Sequence, residues 1–168
     1  MNRIYEWISH EVSFQEALKL TFKVTVLMLG YGIAIVLLFR HFGIVESRGV
    51  AMKINVIMLI NVIVMEELFF RLPLSIITRY ISTKGFIVLS FVLLSIFFGW
   101  MHGHWLFIFS QGVLGIALSL VYLKCGGFSK NLLTAVSSGR IFVGLLCAVL
   151  LHSSYNCAMF YFIQVTTN

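Results

Sequence analysis

Aspartate is missing from this sequence altogether, and acidic residues number only six in 168 positions. Charged residues of either sign make up 11%, too few to cover a soluble domain of this length with polar surface. The formal net charge is +6, yet the basic residues stand singly between apolar blocks and form no run that could track phosphates. Nucleic acid is therefore not an expected partner. Proline occurs once and cysteine three times, at Cys125, Cys147 and Cys157. An odd number without metal or redox spacing implies no disulfide framework, and Cys147 and Cys157 read as small packing residues in an apolar stretch. No internal repeat, low-complexity tract or Pro- or Ser-rich linker divides the chain.

What fills the space is apolar. Hydrophobic residues reach 60%, with sixteen phenylalanines, and the mean hydropathy is +1.01. Five stretches approach or exceed the roughly 20 helical residues that cross a bilayer: Val24–Phe39, Ile54–Thr78, Phe86–Met101, Leu106–Leu123 and Ile141–Ile163. The expected fold is all-α, a polytopic transmembrane helical bundle of about five spans, with the lipid bilayer as its first partner. Pro73 in the long second span predicts a tilt or kink. The third and fourth spans are joined only by His102–Trp105, a tight hairpin. Residues 1–23 form an interfacial amino-terminal segment, in which Ile4, Trp7, Ile8 and Val12 share a helical face. The apolar region starts too late, and without a small-residue cleavage site, for a cleavable signal. Residues 24–168 are the membrane domain.

Lys and Arg collect on the cytoplasmic side of spanning helices. Arg3, Lys19, Lys23, Arg79, Lys84, Lys124, Lys130 and Arg140 fall on one side of five spans, and only Arg40, Arg48 and Lys53 on the other. This bias predicts a cytoplasmic amino terminus and an external carboxyl terminus.

Against that background the polar residues inside spans stand out. Glu66 and Glu67 are adjacent in the second span, where each ionisable side chain costs at least about 2.5 kcal/mol. Arg71 lies four residues after Glu67, one turn along the same face, in the favourable order for a pair. Glu67 and Arg71 thus read as a structural ion pair. Glu66 points about 100° away and has no partner in its own helix. His102 closes the third span, four residues after Phe98, and in the fifth His152 and Asn156 share a face one turn apart. A carboxylate, two imidazoles and an amide from three helices supply a general base, a second ligand for water and donors for an oxyanion. At 1.5 Å per residue, Glu66 and His152 lie ~18–20 Å from their flanking cations, whereas His102 lies ~27 Å from Lys84. Convergence therefore requires a tilted third helix or a site in the outer half.

Glu66-Glu67-Leu68-Phe69-Phe70-Arg71 has the form EExxxR, Phe98 to His102 the form FxxxH, and His152 to Asn156 the form HxxxN. In this order on successive spans, the three motifs resemble those of the CAAX protease and bacteriocin-processing family, also called the Abi family. The resemblance runs from about Ile54 to Ile163, a four-helix catalytic core. It implies an intramembrane glutamic endopeptidase that hydrolyses peptide bonds of membrane-associated peptides or proteins without a cofactor. Carried over by position, Glu66 activates water, His102 helps hold it, and His152 and Asn156 stabilise the oxyanion, with Glu67, Arg71 and Phe98 structural. The chain departs from many members in having Leu72 and Pro73 where glycine follows the motif arginine, and it is short for the family. A small single-domain chain of this kind resembles bacterial members, which implies a bacterial cell membrane.

Three other readings compete. The resemblance also admits a non-enzymatic bacteriocin immunity protein or a membrane scaffold. Glu66, His102 and His152 form a two-His, one-carboxylate set of the kind that holds zinc, but no spacing such as HExxH accompanies them. A proton-coupled transporter lacks its inverted repeats here. His104 faces away from His102 and reads with Trp105 as an interfacial loop residue. Oligomeric state and substrate identity are open from sequence.

Overall fold

The computed structural model describes residues 2–44, 56–80, 84–103, 105–128 and 136–167. His104 and the loop cations Arg48, Lys53 and Lys130 lie outside them. Among the described residues six helices appear, in the order α1 (Asn2–Ser9), α2 (Phe14–His41), α3 (Val56–Tyr80), α4 (Lys84–Trp100), α5 (Val113–Tyr122) and α6 (Arg140–Thr167). One π-helical turn, Ile108–Gly112, leads into α5, and another, Leu123–Gly127, leads out of it. There is no strand among the described residues. The all-helical, polytopic bundle expected from composition is what the structure shows. Among the described residues three helical stretches suffice, by length and apolarity, to cross a membrane: Phe14–His41, Ile108–Gly127 and Arg140–Thr166. The fourth apolar helix, Gly85–Trp100, is shorter. The 25-residue α3 has the length but carries Glu66, Glu67 and Arg71 at its centre.

The first span starts earlier than its hydropathy suggests. Ser13 Oγ accepts from the Glu16 amide, and the Glu16 carboxylate accepts from the Ser13 amide, a capping box that opens α2 at Phe14. Within the amino-terminal segment, α1 ends at Ser9, and residues 14–23 are continuous with the helix Phe14–His41. Its 28 residues extend ~42 Å against a hydrocarbon core of ~30 Å, so Glu16 and Lys19 lie in the turn or two left over. The sequence sets α1 at the bundle's end through Lys124, whose Nζ donates to the carbonyls of Trp7 (2.5 Å) and His10 (2.6 Å). These are C-terminal carbonyls of α1, the negative end of a helix. Glu11 pairs with Arg140 at the same end. Gly126 makes the turn between them with φ 146°, and a β-carbon there would run into the Arg140 carbonyl.

Between helices in lipid no hydrophobic driving force operates, so close packing must hold them. α6 is the hub. It packs against α2, α5 and α3, burying Cys147, Ala148, Leu151, Tyr155 and Met159. α4 crosses the π-turn before α5 at contact distance, because a β-carbon on Gly99 would meet the Gly112 amide nitrogen at 2.8 Å. That approach brings Phe98 of α4 and Ser119 of α5 onto the buried face of α3. Helix α3 runs without a break through Pro73, and its buried stripe includes Ile63, Glu67, Phe70, Arg71, Leu74, Ser75 and Thr78.

Candidate active site

The buried stripe of α3 explains the division between its two glutamates. Glu67 lies within it and is fully buried, while the Glu66 side chain, at the stripe's edge, keeps 30% of its exposure. Arg71 Nε donates to Glu67 Oε2 at 2.8 Å, with neither side chain exposed. The pair makes a charged stripe tolerable in a span, where a lone charge of this depth is expensive.

The third member of the group comes from α6. His152 is fully buried, and its Nδ1 lies 2.8 Å from Glu67 Oε1. A carboxylate paired with arginine only accepts, so Nδ1 carries the proton of this bond. The ring's other nitrogen, Nε2, faces Glu66 Oε2 at 3.8 Å. That is beyond hydrogen-bond range, and Nε2 has no partner among the described residues. One imidazole thus stands between two glutamates that are adjacent in sequence. Glu67, expected as the partner of Arg71, divides its oxygens between Arg71 and His152.

Phe98 and His102 come from the end of α4. His102 lies in the turn just past the helix, and its backbone amide bonds Gly99 O at 3.3 Å. The carbonyl of Phe98 accepts instead from His102 Nδ1 at 2.8 Å, a side-chain cap on a helix C-terminus. Nε2 of His102 is left to face other partners. The Phe98 ring occupies the middle of the group. Its centroid is 4.8 Å from that of His102 and 5.6 Å from that of His152, both edge-on. The Arg71 guanidinium carbon stands 5.6 Å from the same centroid, and Phe70 packs edge-on at 5.0 Å. His102 therefore joins the group across one benzene ring and not by contact with Glu66. Asn156 is half-buried one turn after His152, and its side chain makes no hydrogen bond among the described residues. Six of the seven residues singled out from sequence meet through direct contacts, and Asn156 follows from its place on α6. Among the described residues, no three His, Cys, Asp or Glu side chains gather closely enough to hold a metal ion.

Helix α5 contributes what no motif indicated. Arg71 Nη1 donates to Ser119 Oγ at 2.5 Å and to Gly115 O at 3.2 Å. One turn along α3, Ser75 donates to Gly127 O at 2.6 Å and bonds the Tyr122 hydroxyl at 2.6 Å. All of these side chains are buried. The available signal was a spacing of small residues, Gly115 and Ser119, with a hydroxyl in an otherwise apolar span. Such hydroxyls often serve only to tie helices.

The sequence model of one family, described as type II CAAX prenyl endopeptidase Rce1-like, matches residues 48–158 of the chain. That range includes every residue of the group; α1 and α2 precede it. No curated protein and no solved structure matches the chain.

Proposed function

The chain belongs to the Rce1-like family of type II CAAX prenyl endopeptidases, and on that premise we propose that it is an intramembrane glutamic endopeptidase. The observation that carries this reading is the buried, unpartnered Nε2 of His152 held 3.8 Å from Glu66. A water bonded to Glu66 gives up its proton to the carboxylate and attacks the scissile carbonyl carbon. Nε2 of His102 accepts from the same water, since its Nδ1 is already committed to Phe98 O. The carbonyl electrons move onto oxygen, and the oxyanion takes hydrogen bonds from His152 Nε2 and the Asn156 amide. With Nδ1–H given to Glu67, donation to the oxyanion uses a proton on Nε2 as well. Glu66 then hands its proton to the leaving nitrogen as the C–N bond breaks, with no metal involved.

Substrates are membrane-associated peptides or proteins, with a prenylated CAAX terminus as one candidate. The protein is an integral membrane protein, and the bias of Lys and Arg along the sequence supports a cytoplasmic amino terminus and an external carboxyl terminus. The test is the purified protein in liposomes, given a farnesylated CAAX peptide and an unmodified amphipathic peptide, with and without chelator. Products are read by mass spectrometry. Cleavage at one bond, unaffected by chelator, supports the reading. Intact peptides of both kinds with folded protein would replace it with the immunity or scaffold role, and loss of cleavage with chelator would replace the metal-free chemistry.

A further inference from the structure

Arg71 uses its donors unevenly. Nε holds Glu67, Nη1 holds Ser119 and Gly115, and Nη2 is buried without a partner among the described residues. In a guanidinium the Nε and Nη2 hydrogens point the same way, and together they form the two-pronged fork that grips a carboxylate. The stronger arrangement for Arg71 and Glu67 would therefore use both prongs and draw both carboxylate oxygens. The structure shows the weaker one-prong pair, with Glu67 Oε1 given to His152. What separates the two arrangements is the pull on Nη1 from α5. Ser119 is fully buried and donates its own proton to Gly115 O at 2.8 Å, so its lone pairs are aimed at Arg71.

We propose that Ser119 is a positioning residue for His152: by anchoring Arg71 Nη1 to α5 it keeps the Arg71–Glu67 pair one-pronged and reserves Glu67 Oε1 for His152. Without the hydroxyl only the longer 3.2 Å bond to Gly115 O still holds Nη1, so the guanidinium turns about its Nε and closes the fork, and the carboxylate swings off Nδ1. The imidazole then loses the bond that aims Nε2 at Glu66. The kinetic part of this inference rests on the peptidase reading; the geometry of His152 does not.

The experiment compares wild type, Ser119→Ala and Ser119→Thr in liposomes, with Glu66→Gln as control, and records the ¹⁵N signals of the histidine rings in the same samples. Through Arg71 and Glu67, Ser119 governs the bond that orients the His152 imidazole, and loss of such an orienting bond costs about 10–100-fold where it has been measured on metal-ligating imidazoles. Ser119→Ala is thus expected to lower kcat about tenfold or more at unchanged KM, with the His152 Nδ1 signal moved off its carboxylate-bonded position. Threonine, which keeps the hydroxyl, restores both. Ser119→Cys, similar in volume but a weak acceptor, replaces alanine in the comparison if alanine does not fold. Should threonine not fold, the Nδ1 signal of the alanine or cysteine variant decides. An unmoved Nδ1 signal overturns the proposal, whatever happens to kcat. An inactive wild type or an active Glu66→Gln protein overturns the peptidase reading instead, and the Nδ1 signal alone then judges Ser119.

Discussion

Replacing Arg71 by alanine isolates the cost of burying Glu67. In the folded protein Glu67 accepts from Arg71 Nε and His152 Nδ1, and nothing of its side chain is exposed. Arg71→Ala removes the counter-charge and leaves only the imidazole bond. Ser119 is not stranded by the change, because its hydroxyl keeps the bond to Gly115 O. The loss is therefore mainly that of a buried charge without its partner, about 3–5 kcal/mol. That is a large share of a total stability of about 5–15 kcal/mol, and it corresponds to about two to four powers of ten in the folding equilibrium. Adding Glu67→Gln removes the stranded charge while leaving an amide oxygen to accept from His152 Nδ1, so the double variant should regain more than half of the loss. Reversible unfolding in mixed detergent–SDS micelles, followed by helical circular dichroism, measures both. Arg71→Ala within about 0.5 kcal/mol of wild type, or a double variant less stable than the single one, would refute the account of Glu67 as a buried, ionised acceptor.

Three further expectations follow from the same geometry. Lys124→Met removes two charge-assisted bonds to α1, each worth about 1.5–3 kcal/mol, so backbone amides of residues 2–12 should exchange hydrogen at least ten times faster while α6 does not change. Equal exchange would show that α1 is held by Ile8 packing alone. A reporter fused after Asn168 should lie outside the cytoplasm and one inserted between Phe128 and Val136 inside it, whereas a cytoplasmic carboxyl terminus would require an even number of spans. Asn156→Ala should slow peptide hydrolysis by roughly 10²–10³-fold, as loss of one oxyanion donor does; an unaltered kcat would remove Asn156 from the site.

Much of this site was legible because membrane burial makes polar residues conspicuous. The four-residue step from Glu67 to Arg71 specifies a pair on any helix, and the structure holds it at 2.8 Å. The step from His152 to Asn156 likewise specifies one face. The division of Glu67 between Arg71 and His152 was not legible. Helical spacing separates Glu66 and Glu67 by about 100° and so suggests separate tasks. An imidazole from another helix spans both because its two nitrogens point in different directions. The link from His102 to the group was not legible either; it runs through Phe98, whose ring meets both imidazoles edge-on. Ser119 escaped notice because a lone serine in an apolar span has no pattern until the residue it bonds is placed beside it. Hydropathy marks the apolar stretch near Val24–Phe39 but not the start of α2, which the capping box of Ser13 and Glu16 sets at Phe14.

The central claim is that Glu66 is the base that activates water. Glu66→Gln keeps the side chain's size and its place at the edge of the buried stripe, and leaves the bonds among Glu67, Arg71 and His152 untouched, but cannot take a proton. The most direct measurement is the initial rate of peptide hydrolysis by wild type and Glu66→Gln in the same liposomes, at equal amounts of protein with matching unfolding midpoints. The account predicts that the variant's rate falls to the level of protein-free liposomes. A Glu66→Gln protein that cleaves at the wild-type rate would contradict it.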